Sequence, residues 1–147
     1  MTLEKGDFMA FPRIDGLRTV EFGNVGESRD LILHFLFQGN KRATAGLLEH
    51  DYEAEGEPVE HVGEELIVVG NEGEALGKIE VTRVEIVRFD SVPDEFALAE
   101  AEGDLSGDDF RASHRKFWEA CGFSIRDDTQ VVLVYFDLPL RAPSGLI

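Results

Sequence analysis

The chain has 147 residues, of which 43% are hydrophobic, and its 30 acidic side chains against 14 basic ones give a formal net charge of −16. This length and composition are typical of one globular domain and exclude a disordered or fibrous protein. So negative a surface disfavours duplex DNA, because tight binding to phosphate needs many Lys and Arg contacts. The same acidity also favours solubility, and it does not disfavour a small neutral ligand or a nucleoside.

The cysteine and hydropathy patterns predict a cytoplasmic protein that does not enter a membrane. The single cysteine, Cys121, cannot form an internal disulfide, which fits a reducing compartment. No apolar stretch approaches the roughly 18–20 residues of a membrane span, and no apolar signal segment is expected at the N-terminus. The spacing of His, Cys and acidic residues matches no familiar metal motif, so neither a metal nor another cofactor is predicted.

The first predicted element is a helix. Ser28 is a candidate N-cap, and Gly39 or Asn40 is a candidate stop in the left-handed conformation. The residues between these caps place apolar side chains at helical spacing, namely Leu31, Ile32, Phe35 and Leu36. A buried strand is the alternative, and the cap signals at both ends favour the helix.

Three segments after this helix are predicted to be strands, and the third is bent. The first two are "RATAGLLEHDY" and "EELIVVG", separated by an acidic loop with Gly and Pro. In the third, "ALGKIEVTRVEIVRF", Ile79 and Val81 alternate on one face, whereas Val84 and Ile86 have the opposite parity. Because side chains alternate along a strand, this change requires a bulge or a sharp bend. The bend suggests a strand that curls round a barrel, with Arg83 in the inward phase of its first half.

Two helices and a final strand complete the predicted elements. Ser91 and Pro93 begin one helix, which ends before "GD" at 103–104, and Ser106 begins the next. "VVLVYFDL" is then predicted to be a buried strand. The second of these helices carries an amphipathic stripe, which comprises Phe110, His114, Phe117, Trp118 and Cys121.

Together these elements predict an α+β protein. Its centre would be a small β-barrel or strongly bent sheet of about five or six strands, flanked by helices. Residues 1–147 are expected to form a single domain, with a core at 20–138 and an irregular N-terminal arm at 1–19. Nothing in the sequence fixes the oligomeric state.

The segment "GNKRATAG" holds the first candidate site. Lys41 and Thr44 are three residues apart, so they share a face in a helix but point to opposite faces of a strand. The segment begins where a helix ends, and a bend at Arg42 and Ala43 would let the lysine amine reach the threonine hydroxyl. A desolvated lysine can act as a base and activate such an alcohol. The alternative is that Lys41 and Arg42 are solvated cations favoured by the helix dipole, with Thr44 an ordinary strand residue.

Further candidates lie at the end of the second helix and on the third. Glu100 and Glu102 occur in "AEAEGD", at a helix C-terminus where anions oppose the helix dipole, which suggests that one of them reaches a pocket as an acid or base. Alternatively, they are two more acids of an acidic protein. His114 lies on the predicted buried stripe, where a hydrogen-bonded structural role is the alternative to catalysis.

These segments, in this order, resemble an ASCH domain of the PUA-like superfamily, within a larger bacterial subgroup. The resemblance covers roughly residues 20–138 and rests mainly on the Gly-x-Lys-x-x-Thr element at 39–44 and the later Ala-Glu-x-Glu-Gly-Asp. It implies a small PUA-like β-barrel flanked by helices, with a cleft beneath the Lys-x-x-Thr element. Some small ASCH proteins are amidohydrolases that remove the acetyl group of N4-acetylcytidine. Their catalytic Lys, Thr and Glu correspond to Lys41, Thr44 and Glu102.

The leading hypothesis is therefore a metal-independent amidohydrolase that acts on a modified nucleoside or a related small amide. Four further residues are expected to bind the substrate, namely Arg42, Arg83, Glu100 and His114. One alternative is a non-catalytic module that binds a nucleotide or a short RNA, and another is a ribonuclease. Binding RNA would use a basic patch, comprising Lys41, Arg42, Arg111, Arg115 and Lys116.

Overall fold

The computed structural model describes residues 12–137 and 139–141, in which a mixed sheet of seven strands carries the fold. The strands are β1 (Arg13–Ile14), β2 (Leu17–Val20), β3 (Ala43–Leu47), β4 (Glu65–Val69), β5 (Ala75–Arg88), β6 (Gln130–Phe136) and β7 (Leu140–Arg141). Their hydrogen-bonded order is β1-β2-β4-β5-β6-β3, and β7 also pairs with β5. This path is open, so hydrogen bonds among the described residues do not close the bent sheet into a barrel. The predicted α+β class is confirmed.

Helices flank the sheet, as the sequence predicts. They are α1 (Glu27–Phe37), α2 (Asp94–Glu100) and α3 (Gly107–Ala120), with a π-helical turn at Leu48–Glu53 and a 3₁₀ turn at Phe89–Ser91. Ser106 caps α3 as predicted, because its hydroxyl accepts the Asp109 N–H at 3.1 Å. The other two predicted N-terminal caps are wrong. The residue before α1 is Gly26 rather than Ser28, and α2 begins after Pro93 rather than Ser91.

The predicted change of parity in β5 is a bulge in the structure. The first half of β5 pairs with β4 and the second half with β6, and the register shifts between Val81 and Arg83. Val81 is fully buried, and Val84 packs against the same core after the bulge. Arg83, expected in the inward phase, is instead 44% exposed. The prediction for this side chain is wrong because the bulge turns it to the outer surface.

Strand β6 lies at the centre of the molecule and is buried on both faces. One face contributes Val132 and Val134 to a core that also contains Leu36 of α1. The other face contributes Leu133 to a second core with Phe96 of α2. A strand covered on both sides has no polar face, which explains why its sequence is a continuous apolar run rather than an alternation.

Helix α1 presents a different face to the core from the one predicted. Leu36 is buried as expected, but Leu31 is 58% exposed and Phe35 is 37% exposed. Arg29 takes a buried position instead, because its guanidinium donates hydrogen bonds to the carbonyls of Phe22, Gly23 and Gly70. The spacing of apolar residues carries no information on this position, because it cannot show that backbone carbonyls will accept hydrogen bonds from a buried arginine.

The N-terminal segment is more regular than expected where the structure describes it. Arg13–Ile14 and Leu17–Val20 form a hairpin, and β2 pairs in parallel with β4. The expectation of an irregular arm is therefore wrong for these strands, while residues 1–11 lie outside the described part. Among the described residues, no helix is both long enough and apolar enough to cross a membrane.

Candidate active site

The segment between α1 and β3 is held by backbone hydrogen bonds that place Lys41. Gly39 adopts φ +86°, a left-handed conformation that L side chains rarely adopt, and it turns the chain at the end of α1. The Arg42 N–H donates to the Ala99 carbonyl of α2 at 2.6 Å, and the Arg42 carbonyl accepts the Phe136 N–H of β6 at 3.0 Å. These bonds bring the predicted lysine next to the acidic end of α2.

Lys41 is buried and paired. Its side chain is 1% exposed, and Nζ donates to Glu102 Oε2 at 2.6 Å and to the Glu100 carbonyl at 3.2 Å. The same Nζ lies 5.7 Å from the centre of the Phe22 ring. The Glu102 side chain is 33% exposed, so the ion pair has one buried and one solvent-facing partner. An ammonium group needs such a partner, because burying an unpaired charge costs several kcal/mol.

Thr44 and Glu102 line one cavity of about 400 Å³. Thr44 lies in β3 opposite Val134 of β6, and its side chain is half-buried. Its hydroxyl has no hydrogen-bond partner among the described residues. The expected Lys41–Thr44 contact is therefore not made in this structure: the lysine reaches Glu102, and the threonine faces the cavity. A cavity of this size is in the range that holds a small ligand.

The cavity continues to an acidic cluster around His114. Glu100 is the last residue of α2 and is 3% exposed, whereas Asp104 belongs to the loop before α3. The His114 ring lies face to face with the Phe110 ring, with 3.8 Å between the centres. His114 Nε2 is 3.4 Å from Glu100 Oε1, and Nδ1 is 3.8 Å from Asp104 Oδ2. Both Glu100 and His114 line the same cavity as Thr44.

The contact between His114 and Glu100 is an ion pair rather than a well-formed hydrogen bond. Burial lowers the pKa of His114, but the adjacent Glu100 and the charge of Glu102 outweigh it, so the pKa is raised above its ordinary value. Glu100 Oε1 is itself buried and has no hydrogen-bond partner among the described residues, because the 3.4 Å contact is poorly aligned. One carboxylate oxygen of the site is therefore left unsatisfied.

The two predicted arginines lie away from the cavity. Arg42 Nε donates to the Phe136 carbonyl at 3.2 Å, and the Arg83 guanidinium lies 4.4 Å from the Tyr135 ring centre and 2.9 Å from Glu95. Neither arginine lines the cavity that contains Thr44. Their role in binding substrate stays a prediction that this geometry does not support.

The wall of the cavity is strongly acidic. The carboxylates that line it belong to Glu21, Glu100, Glu102 and Asp104, and no Lys or Arg lines it in the described part of the chain. Such a wall repels phosphate and favours a neutral or cationic ligand. The sequence pattern indicated Glu100 and Glu102 but not Glu21 and Asp104. Asp104 occurs in the same "AEAEGD" motif and could have been found there, whereas Glu21 follows β2 without any recognisable signal.

A second, apolar cavity of about 400 Å³ lies on the other side of the ion pair. It is lined by Lys41, Glu102, Leu31 and Phe35, among others, so the two cavities meet at Glu102. Leu31 and Phe35, which the helical spacing of α1 predicted to be buried, are therefore exposed beside the candidate site. Another cavity, of about 520 Å³, lies near His50, and none of the predicted residues lines it.

Comparisons with known proteins agree with this architecture. The ASCH domain from Lactobacillus crispatus JV V101 is 27% identical over 84% of this chain and 79% of that chain, with a TM-score of 0.70. Protein EF3133 from Enterococcus faecalis V583 is 25% identical over 82% of this chain and 74% of that one, also with a TM-score of 0.70. Among curated proteins, none has a significantly similar sequence. The sequence profile of the ASCH domain matches residues 18–138, and the chain therefore belongs to the ASCH domain family.

Proposed function

We propose that this protein is an amidohydrolase that removes an acyl group from a modified nucleoside such as N4-acetylcytidine. The observation that carries the proposal is the ion pair of buried Lys41 with Glu102, beside a small cavity that Thr44 also lines. The cavity is in the size range of small-molecule sites, and its acidic wall disfavours a phosphorylated ligand. A neutral nucleoside meets both conditions.

The three side chains have distinct roles in this proposal. The Lys41 ammonium donates to Glu102 and to a carbonyl, so it is placed to stabilise negative charge rather than to accept a proton. Glu102 is the proton carrier, because its carboxylate is partly exposed and lines the same cavity as Thr44. Thr44 is the nucleophile, since it lines the cavity and its hydroxyl has no hydrogen-bond partner among the described residues.

The reaction then has two steps. Thr44 Oγ1 attacks the acyl carbon while Glu102 takes its proton. Lys41 lines the neighbouring cavity rather than that of Thr44, so its ammonium stabilises the oxyanion by shifting towards it once Glu102 is protonated and no longer holds the charge. The carbon–nitrogen bond breaks as Glu102 returns the proton to the leaving amine, which leaves an acyl ester on Thr44. In the second step, Glu102 takes a proton from a water molecule as the water oxygen attacks the ester carbon. The bond between that carbon and Thr44 Oγ1 then breaks, and Glu102 returns the proton to Oγ1, which releases the carboxylic acid and restores the threonine hydroxyl. None of these steps requires a metal.

The test compares the hydrolysis of N4-acetylcytidine by the wild type and by Lys41→Met, and the rate is measured from the cytidine released. Loss of an oxyanion-stabilising donor is expected to lower kcat by about 100- to 1000-fold. Lys78→Met is the matched control, because Lys78 is an exposed lysine in an ion pair with Glu65, and it should keep full activity. The proposal is wrong if the wild type shows no turnover, or if Lys41→Met is as active as the control.

An RNA-binding module without catalysis is less well supported. Three of the five residues in the basic patch are poorly placed to bind phosphate, because Lys41 is buried and the guanidinium groups of Arg111 and Arg115 are engaged. Arg111 pairs with Asp108 and donates to a carbonyl, and Arg115 donates to the Ile125 carbonyl. Binding of short RNA that weakens steeply with salt would favour this module over the enzyme.

A further inference from the structure

We propose that Glu100, Asp104 and His114 form a binding site for a divalent transition-metal ion, with Zn²⁺ as the best match. One ligand atom from each residue can be chosen so that all three lie within 4.8 Å of one another. The three residues come from the end of α2, the loop after it and the middle of α3, so the fold and not the sequence spacing brings them together. This inference does not rest on the proposed amidohydrolase, whose three catalytic side chains need no metal.

An unsatisfied buried oxygen points to a ligand at this place. Glu100 is 3% exposed, and its Oε1 has no hydrogen-bond partner among the described residues. Buried carboxylate oxygens are nearly always hydrogen-bonded, paired with a cationic side chain or bound to a metal, because burying a charge without a partner is costly. Oε1 lies 3.4 Å from His114 Nε2, and Glu100 and His114 both line the cavity, so an ion bound between them would lie at its wall.

The orientation of His114 suits a metal ligand. Its Nδ1 is 3.1 Å from the Phe110 carbonyl, and a hydrogen bond donated there leaves the lone pair of Nε2 directed at Glu100. Ligating histidines commonly donate their other ring N–H to a backbone carbonyl, which fixes the tautomer and the ring plane. The second carboxylate lies close by, because Asp104 Oδ2 accepts a hydrogen bond from Ser113 Oγ at 2.8 Å. It is 3.8 Å from Nδ1, so the Asp104 side chain would turn towards Nε2 to share an ion with Glu100.

The negative charge of the cavity wall and the types of ligand atom indicate which ion would bind. Within residues 12–137, four carboxylates and no Lys or Arg line the cavity, so a divalent cation would relieve the mutual repulsion of the carboxylates. One imidazole nitrogen with two carboxylate oxygens suits Zn²⁺ better than Mg²⁺ or Ca²⁺, which prefer oxygen ligands. Ligand atoms on one tetrahedral Zn²⁺ lie about 3.4 Å apart, so ligand atoms that are now up to 4.8 Å apart would close by as much as about 1.4 Å on binding. Three protein ligands leave the fourth position open towards the cavity for water or a substrate atom.

The competing explanation is an ion pair between a protonated His114 and its two carboxylates, with no metal. The two explanations differ in a direct binding experiment. Untagged protein is treated with a chelator, dialysed and titrated with Zn²⁺ in competition with a chromophoric chelator. The full chain is used in a Cys121→Ser background, because Cys121 is an exposed thiol that would bind zinc on its own. We expect one equivalent of Zn²⁺ to bind and Mg²⁺ not to displace it.

Variants locate the site. His114→Ala and Glu100→Gln are each expected to weaken Zn²⁺ binding by at least about 10- to 100-fold, the range seen even for residues that only support metal ligands. His61→Ala is the control, since His61 is an exposed histidine next to Glu64, and it should bind as the wild type does. If His114→Ala or Glu100→Gln fails to fold, Asp104→Asn provides a further variant whose Zn²⁺ affinity can be measured. The absence of Zn²⁺ binding to the wild type, or binding that persists unchanged in the three site variants, overturns the proposal.

Discussion

Neutralising Glu102 while Lys41 stays in place would show how strongly the candidate site depends on its ion pair. Removing one partner of a fully buried pair costs about 3–5 kcal/mol, because the other charge is left buried and uncompensated. Lys41 is 1% exposed, but Glu102 is 33% exposed, so solvent already screens part of the attraction. We therefore expect Glu102→Gln to lower the free energy of unfolding by about 1–3 kcal/mol.

Removing the lysine should behave differently. Lys41→Met replaces a buried cation with an apolar side chain of similar length and leaves Glu102 able to turn to water. Such replacements are often neutral or stabilising, so a change within about 1 kcal/mol is expected. The double variant, Lys41→Met with Glu102→Gln, should match Lys41→Met alone, because Glu102→Gln destabilises only while the buried charge is present.

Guanidinium unfolding of the three variants and the wild type measures these differences. Glu65→Gln is the matched control, since Glu65 pairs with Lys78 at 3.5 Å with both side chains well exposed, and it should change the free energy by no more than about 0.5 kcal/mol. The reasoning is refuted if Glu102→Gln is as mild as Glu65→Gln. It is also refuted if Lys41→Met destabilises as much as Glu102→Gln.

Three further predictions test other parts of the molecule. Thr44→Ser should keep measurable hydrolysis of N4-acetylcytidine, whereas Thr44→Val should lose it with no acyl adduct detectable by intact-protein mass spectrometry, because only a hydroxyl can form the ester. Tyr52 donates to buried Glu60 at 2.8 Å, so Tyr52→Phe should cost about 1–2 kcal/mol in urea unfolding at neutral pH. Burial raises the pKa of Glu60, so this cost should shrink as the pH falls through that pKa and the carboxylate is protonated; a cost independent of pH would contradict the assignment. Gly77→Ala should lower Tm, because a Cβ there would lie 2.5 Å from the Leu140 carbonyl oxygen.

The features that the sequence predicted correctly are those with a local cause. The bulge in β5 follows from the parity of Val81 and Val84, and the start of α3 follows from the Ser106 hydroxyl and the nearby Asp109 N–H. Each depends on neighbours in the sequence, so the pattern is enough. The exposure of Leu31 was not predictable in this way, because it depends on carbonyls from distant segments that accept the buried Arg29.

The candidate site could be predicted only in part from the sequence, because it also depends on contacts between distant segments. Spacing suggested that Lys41 would reach Thr44, three residues away, yet in the structure it reaches Glu102. The cause is the backbone hydrogen bond between Arg42 and Ala99, which joins two segments far apart in the chain. The resemblance to ASCH domains named the same three residues but carried no information on which of them would be in contact.

The position of Lys41 is itself an argument for function. Its surroundings are largely apolar, with the Phe22 ring 5.7 Å from Nζ, and the side chain is 1% exposed. A methionine would fill such a place at little or no cost to stability, so packing does not explain a lysine there. Natural sequences keep such costly groups mainly where activity or specificity requires them. If Lys41→Met proves neutral in unfolding yet abolishes turnover, the lysine is kept for its charge and not for the fold.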